Sequence, residues 1–155
     1  MPSPAWVAMS ASTPPAKLRS GRGLRLGDDV VTIGYPLRGL LSYGPIVTMG
    51  IVNAMSGVNN DTSAFQMSAT VQPGSSGGPI FDRSGLLVGL VRARLTSTSA
   101  ANVQNVNFGI NLATVQGFLD AHSVDYGFGL PASSVAAVGD MVAAAQKSTV
   151  QIECY

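Results

Sequence analysis

The sequence contains one short stretch whose residue types could carry nucleophilic chemistry, residues 71–80 (VQPGSSGGPI). Gly74, Gly77 and Gly78 surround two serines, and glycine reaches backbone conformations that other residues adopt only at a cost. Such a loop can aim several backbone N–H groups at one point beside the hydroxyl of Ser76. Acyl transfer requires this arrangement, because the oxyanion must be stabilised as it forms. A serine- and glycine-rich hairpin without chemistry is the alternative interpretation.

The stretch resembles the nucleophile loop of trypsin-like serine proteases. The resemblance extends over residues 24–119 and is strongest to the second barrel of the bacterial Deg-type (high-temperature-requirement) branch. Besides the loop, four blocks are similar to that barrel and follow in its order: residues 26–36, 47–54, 85–91 and 107–110.

The resemblance implies a role for several residues. Ser76 would be the nucleophile, and the N–H groups of Gly74 and Ser76 would form the oxyanion hole. Arg92, Ala93 and Arg94 would run beside the substrate chain, and Gly109 would help to shape a pocket for a substrate side chain. No acidic residue is evident at the base of that pocket, so a preference for lysine or arginine is not supported. Neither a metal nor a cofactor is implied.

Short apolar runs separated by turn residues must position this loop. They predict six strands, at residues 30–33, 46–54, 64–70, 80–81, 86–95 and 106–112. Six short strands with short turns are typical of an antiparallel barrel. The sequence therefore predicts an all-β fold with flanking helices, in which a six-stranded antiparallel barrel forms half of a trypsin-like two-barrel fold.

Two helices are expected after the barrel. The first spans residues 113–122 with Asn111 as its N-cap, and its apolar face would comprise Val115, Phe118 and Leu119. A break at residues 127–131 precedes an alanine-rich helix at 134–146, on which Val135, Val138 and Val142 align. Residues 148–154 are predicted to form a last strand. The expected organisation is an extended arm at 1–23, the barrel with its closing helix at 24–122, and an extension at 123–155.

The N-terminal arm is expected to have little fixed structure before Leu24. Paired prolines are followed by four basic residues, Lys17, Arg19, Arg22 and Arg25, which suggests a solvated linker. The first residues lack a basic region and make a poor signal peptide. The family resemblance suggests a periplasmic or secreted protein, whereas the sequence itself leaves the location open.

Composition limits the partners. Net charge is +1 over 155 residues, which gives no support for binding nucleic acid. No apolar run reaches the roughly 18 residues of a membrane span, and the single cysteine excludes an internal disulfide framework. Only 11% of residues are charged, so we expect an exposed apolar barrel face near the serine loop and a homo-oligomer formed through it. Trp6 with the arm, or residues 134–154, are the other candidates for covering that face.

A serine hydroxyl needs a base, usually a histidine oriented by a carboxylate. His122 is the only histidine, and its place at a helix end favours a solvated or capping residue over a base. The pattern G-x-S-x-G at residues 74–78 also fits an α/β-hydrolase, but Gly77, Gly78 and Pro79 are poor helix formers where that fold requires a helix.

Two hypotheses of different class follow. The first is the nucleophile-bearing half of a trypsin-like serine endopeptidase, acting on peptides or proteins when a barrel with the catalytic histidine and aspartate complements it, and inactive alone. The second is a pseudo-protease domain that keeps the fold for binding or self-association.

Overall fold

A computed structural model describes residues 13–36, 44–92 and 106–152. Six antiparallel strands form a closed barrel in the order β5-β2-β3-β4-β7-β6, and pairing of β5 with β6 closes it. Their bounds are β2 Asp29–Gly34, β3 Ile46–Ala54, β4 Ala64–Met67, β5 Pro79–Phe81, β6 Leu87–Arg92 and β7 Asn107–Asn111. The predicted fold class is therefore confirmed.

The barrel interior is the main core. Side chains alternate across a strand, so inward positions recur at every second residue except in β6, where the register against β5 shifts. Val30, Val52, Phe65, Met67, Ala69, Val71, Ile80, Val88 and Val91 form this interior cluster. Phe65 is its largest member and is 1% exposed.

A second apolar layer lies on the outside of β2, β5 and β6. It contains Val31, Ile33, Phe81 and Leu87 from those strands. The neighbouring strand β3 continues the outward face, because Val31 pairs with Met49 and Ile33 with Val47.

Two short strands extend the sheet beyond the barrel. β1 (Leu18–Arg19) runs parallel to β6 and to β8 (Phe128–Gly129). The Leu18 amide donates to the Gly127 carbonyl, and the Leu87 amide donates to the Lys17 carbonyl. The expectation of little structure before Leu24 is therefore wrong for these residues, and the predicted break at 127–131 contains a strand.

One of the four basic residues of the arm is not solvated, whereas Lys17, Arg22 and Arg25 are exposed as a solvated linker would have them. Arg19 is buried and pairs with Asp82, whose side chain is 6% exposed. Arg22 is exposed and pairs with Asp28 at 2.8 Å. Arg19 was misjudged because its partner lies 63 residues away in the sequence.

Helix α1 (Leu112–Ala121) follows β7 directly. Its N-cap is Asn111, as predicted, and the Asn111 side chain accepts a hydrogen bond from the Thr114 amide. Val115 is buried and Leu119 packs against the outer layer. The prediction for Phe118 is wrong: this side chain is 62% exposed.

Helix α2 (Val138–Gln146) begins four residues later than predicted, after Ala137, which offers no side-chain cap. It packs on the outer layer through the buried Met141 and Ala145 and the partly buried Val142. The predicted valine face is therefore right for Val142 and wrong for Val135, which lies before the helix and is 55% exposed. Residues 148–152 form no strand. The hydroxyls of Ser148 and Thr149 instead donate to the Ala145 carbonyl and close the helix.

The strand bounds agree with the prediction to within one residue, apart from the ends of the third and fifth strands. The third barrel strand ends at Met67 instead of Thr70, because residues 68–70 leave the β4–β7 ladder and cross β3. The fifth is described to Arg92, and its predicted end at 93–95 lies outside the described residues. Within the described ranges, neither helix has the length and apolar character needed to cross a membrane.

Candidate functional site

The stretch at 71–80 folds into two consecutive turns. The Ser75 amide donates to the Gln72 carbonyl at 3.0 Å, and the Gly78 amide donates to the Ser75 carbonyl at 3.0 Å. Gly74 and Gly77 occupy the third position of each turn with φ of 95° and 81°. Positive φ at that position alone defines a type II turn, which favours glycine there.

The second turn is attached to β6. The Gly77 amide donates to the Val91 carbonyl, and the Val91 amide donates to the Gly78 carbonyl, both at 2.8 Å. The side chain of Ser75 packs over β2, since a Cβ on Gly34 would lie 3.2 Å from its Oγ. The loop is therefore held on two sides of the barrel end.

Two backbone amides of the loop donate no hydrogen bond to any of the described residues. Within the described part of the chain, neither the N–H of Gly74 nor that of Ser76 donates a hydrogen bond, while those of Ser75, Gly77 and Gly78 all do. Ser76 is exposed, and its hydroxyl contacts no hydrogen-bond partner among the same residues. An exposed hydroxyl and two unused donors thus occur within three consecutive residues.

A close backbone crossing leads the chain into the loop. The Ser68 amide donates to the Ile51 carbonyl at 3.0 Å, and the Ser68 hydroxyl accepts from the Ile51 amide at 2.9 Å. A Cβ on Gly50 would collide with the backbone nitrogen of Ala69. The sequence shows Gly50 as an interruption of an apolar run, and the structure shows that glycine is needed there for space.

Side chains behind the loop were missed in the sequence. The Thr48 hydroxyl donates to the Thr70 carbonyl at 2.7 Å, and Asn107 Oδ1 accepts from the Val71 amide at 3.4 Å. Asn107 is 1% exposed. The available signal was a polar residue at an inward position of an apolar strand.

Arg92 ends β6 one residue after the attachment of the loop. Its side chain is half exposed and pairs with Asp61 at 2.9 Å. Hydrogen bonds from the Ser63 hydroxyl and amide, and then from Arg92, lower the pKa of Asp61 to about 2. Ala93 and Arg94 lie outside the described residues.

Gly109 pairs with Val91 across β6 and β7, one strand away from the loop. It is buried, and a Cβ there would lie 2.6 Å from Cδ1 of Ile80 and also against the Phe65 ring. The side of Gly109 that would carry a side chain therefore faces the filled interior. Its role beside a substrate pocket stays a prediction.

His122 is the C-cap of α1. Its amide bonds to the Phe118 and Leu119 carbonyls, its Nδ1 lies 2.8 Å from the Phe118 carbonyl oxygen, and its ring stacks on Phe118 at 4.2 Å between centroids. This agrees with a capping residue. In the described ranges no three His, Cys, Asp or Glu side chains are placed to hold a metal ion.

Comparison with known proteins finds bacterial relatives that match more than half of this chain. The chain is 42% identical over 105 residues to the uncharacterized protein y4bJ of Sinorhizobium fredii, covering 64% of this chain and 17% of that protein. It is 35% identical over 107 residues to a serine protease HtrA-like protein of Staphylococcus aureus, covering 60% and 13%. The chain thus spans less than a fifth of the length of these relatives.

Solved structures share the fold. A serine endoprotease from Yersinia pestis aligns with a TM-score of 0.56 at 25% identity, over 68% of this chain and 34% of that one. The inactive form of the Rv3671c protease of M. tuberculosis aligns with a TM-score of 0.55 at 24% identity, over 72% and 57%, and shows the fold alone.

The model of the trypsin-like peptidase domain matches residues 7–90, which is more than half of the chain and includes the strands β2 to β5 and the loop between them. With the closed six-stranded barrel and the relatives above, this match identifies the family. The chain belongs to the trypsin-like peptidase domain family.

Proposed function

We propose that this chain is the nucleophile-bearing part of a serine endopeptidase. The observation that carries the proposal is the loop at 72–78, where the amides of Gly74 and Ser76 donate to no group among the described residues while the amides of Ser75, Gly77 and Gly78 all donate. Both residues are exposed, and two available N–H donors next to an exposed serine hydroxyl match what acyl transfer requires.

In this proposal Ser76 Oγ attacks the carbonyl carbon of a peptide bond, and a base accepts the hydroxyl proton. The carbonyl oxygen becomes the oxyanion and accepts hydrogen bonds from the N–H groups of Gly74 and Ser76. The proton then passes to the leaving amine as the C–N bond breaks, and water hydrolyses the acyl-enzyme by the same steps. The proposed base is a histidine of a complementing barrel, since His122 already caps its own helix.

The proposed substrate is an extended peptide or protein segment. The loop bonds to Val91, and Arg92 follows that attachment directly at the described end of β6. The role of Arg92, Ala93 and Arg94 beside the substrate chain is carried over from the family resemblance. The Arg92–Asp61 pair supports this arrangement by fixing the last described residue of that strand.

Prolonged reaction with a fluorophosphonate in excess imidazole, which supplies the base that the chain lacks, followed by intact-mass measurement and peptide mapping, tests the proposal. We expect one adduct, located on Ser76 and absent in Ser76→Ala. Ser75→Ala is the matched control and should keep the adduct, because the Ser75 side chain packs against Gly34. No adduct, or an adduct that survives Ser76→Ala, would contradict the proposed nucleophile.

The second candidate function is a non-catalytic peptide-binding domain. The arrangement of His122 favours it for this chain alone, since the imidazole is bound to Phe118 by both stacking and a hydrogen bond. Casein hydrolysis that disappears in Ser76→Ala would exclude this candidate. Peptide binding without turnover would support it.

We also propose that the chain self-associates through the outward face of β3. Val47, Met49 and Ile51 are 37%, 43% and 43% exposed and continue the outer layer that α2 covers over β2. These outward positions carry no charge, so two copies can face each other about a two-fold axis without repulsion. Light scattering over a concentration series should show a dimer that Met49→Lys abolishes and that Val58→Lys, an exposed control outside β3, retains.

A further inference from the structure

One peptide unit is held from both sides where the chain enters the loop. The Thr70 carbonyl accepts from the Thr48 hydroxyl at 2.7 Å, and the Val71 amide donates to Asn107 Oδ1 at 3.4 Å. This carbonyl and this amide belong to the same planar peptide unit. Side chains from β3 and β7 therefore fix its orientation together.

The hydrogen bonds have a defined direction. The Thr48 hydroxyl has a single hydrogen, which it donates to the Thr70 carbonyl because a carbonyl oxygen can only accept. Thr32 Oγ1 lies 2.7 Å from Thr48 Oγ1 and must then be the donor of that bond. Thr32 thus bonds to Thr48, and Thr48 in turn bonds directly to the Thr70 carbonyl where the chain enters the loop.

Asn107 leaves a polar group unsatisfied. It is 1% exposed, and its Nδ2 has no hydrogen-bond partner among the residues that the structure describes. A buried donor without a partner is destabilising, and an apolar side chain of the same shape would avoid this cost. The bond to the Val71 amide is the contact that only the polar side chain provides.

The held unit is followed at once by the first turn. Gln72 is the next residue, and its carbonyl accepts from the Ser75 amide. That hydrogen bond closes the turn in which Gly74 has φ of 95°. The held peptide unit therefore leads directly into the turn that contains the Gly74 amide.

We propose that Thr48 and Asn107 are positioning residues for the nucleophile loop, and that they set the orientation of the Gly74 and Ser76 amides through the Thr70–Val71 peptide unit. The effect of these contacts on catalysis rests on the proposed function. The contacts of Thr48 and Asn107 with the Thr70–Val71 peptide unit, here called the clamp, rest only on the hydrogen bonds.

The test uses the full chain with Thr48→Val and Asn107→Leu, which keep the approximate shape and remove the two contacts. Thr32→Val is the matched control, since it removes a neighbouring buried hydroxyl but leaves the Thr48 bond to Thr70. Thr48→Ser keeps the hydroxyl and should restore the wild-type behaviour. Circular dichroism and thermal unfolding identify any variant that fails to fold.

Hydrogen exchange of the Ser75, Gly77 and Gly78 amides, resolved by NMR, is the first readout. These amides are bonded inside the loop, so we expect their exchange to become about tenfold faster in Thr48→Val and Asn107→Leu. Exchange in β3 and β7 should stay as in the wild type. The second readout is the rate of fluorophosphonate reaction at Ser76, which we expect to fall by about 10- to 100-fold.

Unchanged loop exchange in both variants, or an equal effect of Thr32→Val, would overturn the proposal. A fold-wide increase in exchange with no preference for the loop would also overturn it, because it would show a general structural role. If the wild-type chain forms no adduct at Ser76, the proposed function fails, while the exchange experiment still decides the clamp.

Discussion

The buried ion pair between Arg19 and Asp82 allows a sharp test of how β1 is attached to the barrel. Arg19 Nη1 lies 3.3 Å from Asp82 Oδ2, and the two side chains are 7% and 6% exposed. Asp82 Oδ1 separately accepts from the amides of Ser84 and Leu86. Replacing Asp82 by asparagine preserves an acceptor for those amides and removes the charge that faces Arg19.

The chain offers a matched control for this change. Arg83 Nη1 and Asp29 Oδ2 are also 3.3 Å apart, but the side chains are 31% and 48% exposed. At this separation two unit charges attract by about 5 kcal/mol at an effective dielectric constant of 20, and by about 1.3 kcal/mol at that of water. The distance is the same in both pairs, so we expect the difference in burial to produce the difference in their contributions to the free energy of unfolding.

We expect Asp82→Asn to lower the free energy of unfolding by about 3–5 kcal/mol, since it leaves a buried guanidinium without a counter-charge. Asp29→Asn should cost no more than about 1 kcal/mol. Arg19→Met should cost less than Asp82→Asn, because the Asp82 carboxylate keeps its two amide donors. Urea unfolding followed by circular dichroism measures all three. A cost of Asp82→Asn equal to that of Asp29→Asn would refute the reasoning.

Three further predictions concern the loop, the pH dependence and the outer layer. Gly77 has φ of 81° with open space around it, so Gly77→Ala should cost about 1–2 kcal/mol through backbone strain alone, and Gly77→Asn should cost less in the same urea titration. The pKa of Asp61 is lowered from 3.8 to about 2. The ionised carboxylate therefore stabilises the fold above the unfolded pKa, and this stabilisation is lost as the pH falls through 2. At pH 6 the wild type should have a higher urea midpoint than Asp61→Asn, and the difference should vanish near pH 2. Met141→Ala should cost about 2–5 kcal/mol because Met141 is buried on the outer layer, whereas Val135→Ala, at an exposed position outside α2, should cost less than about 0.5 kcal/mol.

The barrel could be predicted because its signals are local. The run at β3 alternates between the two faces within nine residues, and the turn at Gly85 is closed by a residue with positive φ, as glycine allows. The same holds for the loop, where Gly74 and Gly77 mark the turns directly. Asn111 was recognisable as an N-cap from its position alone.

The contacts that the sequence did not reveal are all long-range. Arg19 needs Asp82, 63 residues away, and the clamp joins Thr48 to Thr70 over 22 residues and Val71 to Asn107 over 36. For α2, the three aligned valines satisfied the helical spacing, but the outer layer of the barrel buries Met141 and Ala145 and takes up only Val142 of the three. A sequence pattern shows that a segment has helical periodicity, but tertiary packing decides which side of the helix faces the core.

The closure of the sheet between β5 and β6 restricts how one copy can meet another. Each barrel strand has a neighbour on both sides, so in the described part of the chain the sheet ends only at β8, which is two residues long. An unpaired strand edge is the usual template for adding strands from another molecule and for aggregation into fibres. Since this barrel offers so short an edge, association between copies must use side chains on a face, and it can therefore be altered by surface substitutions without opening the hydrogen-bonded sheet.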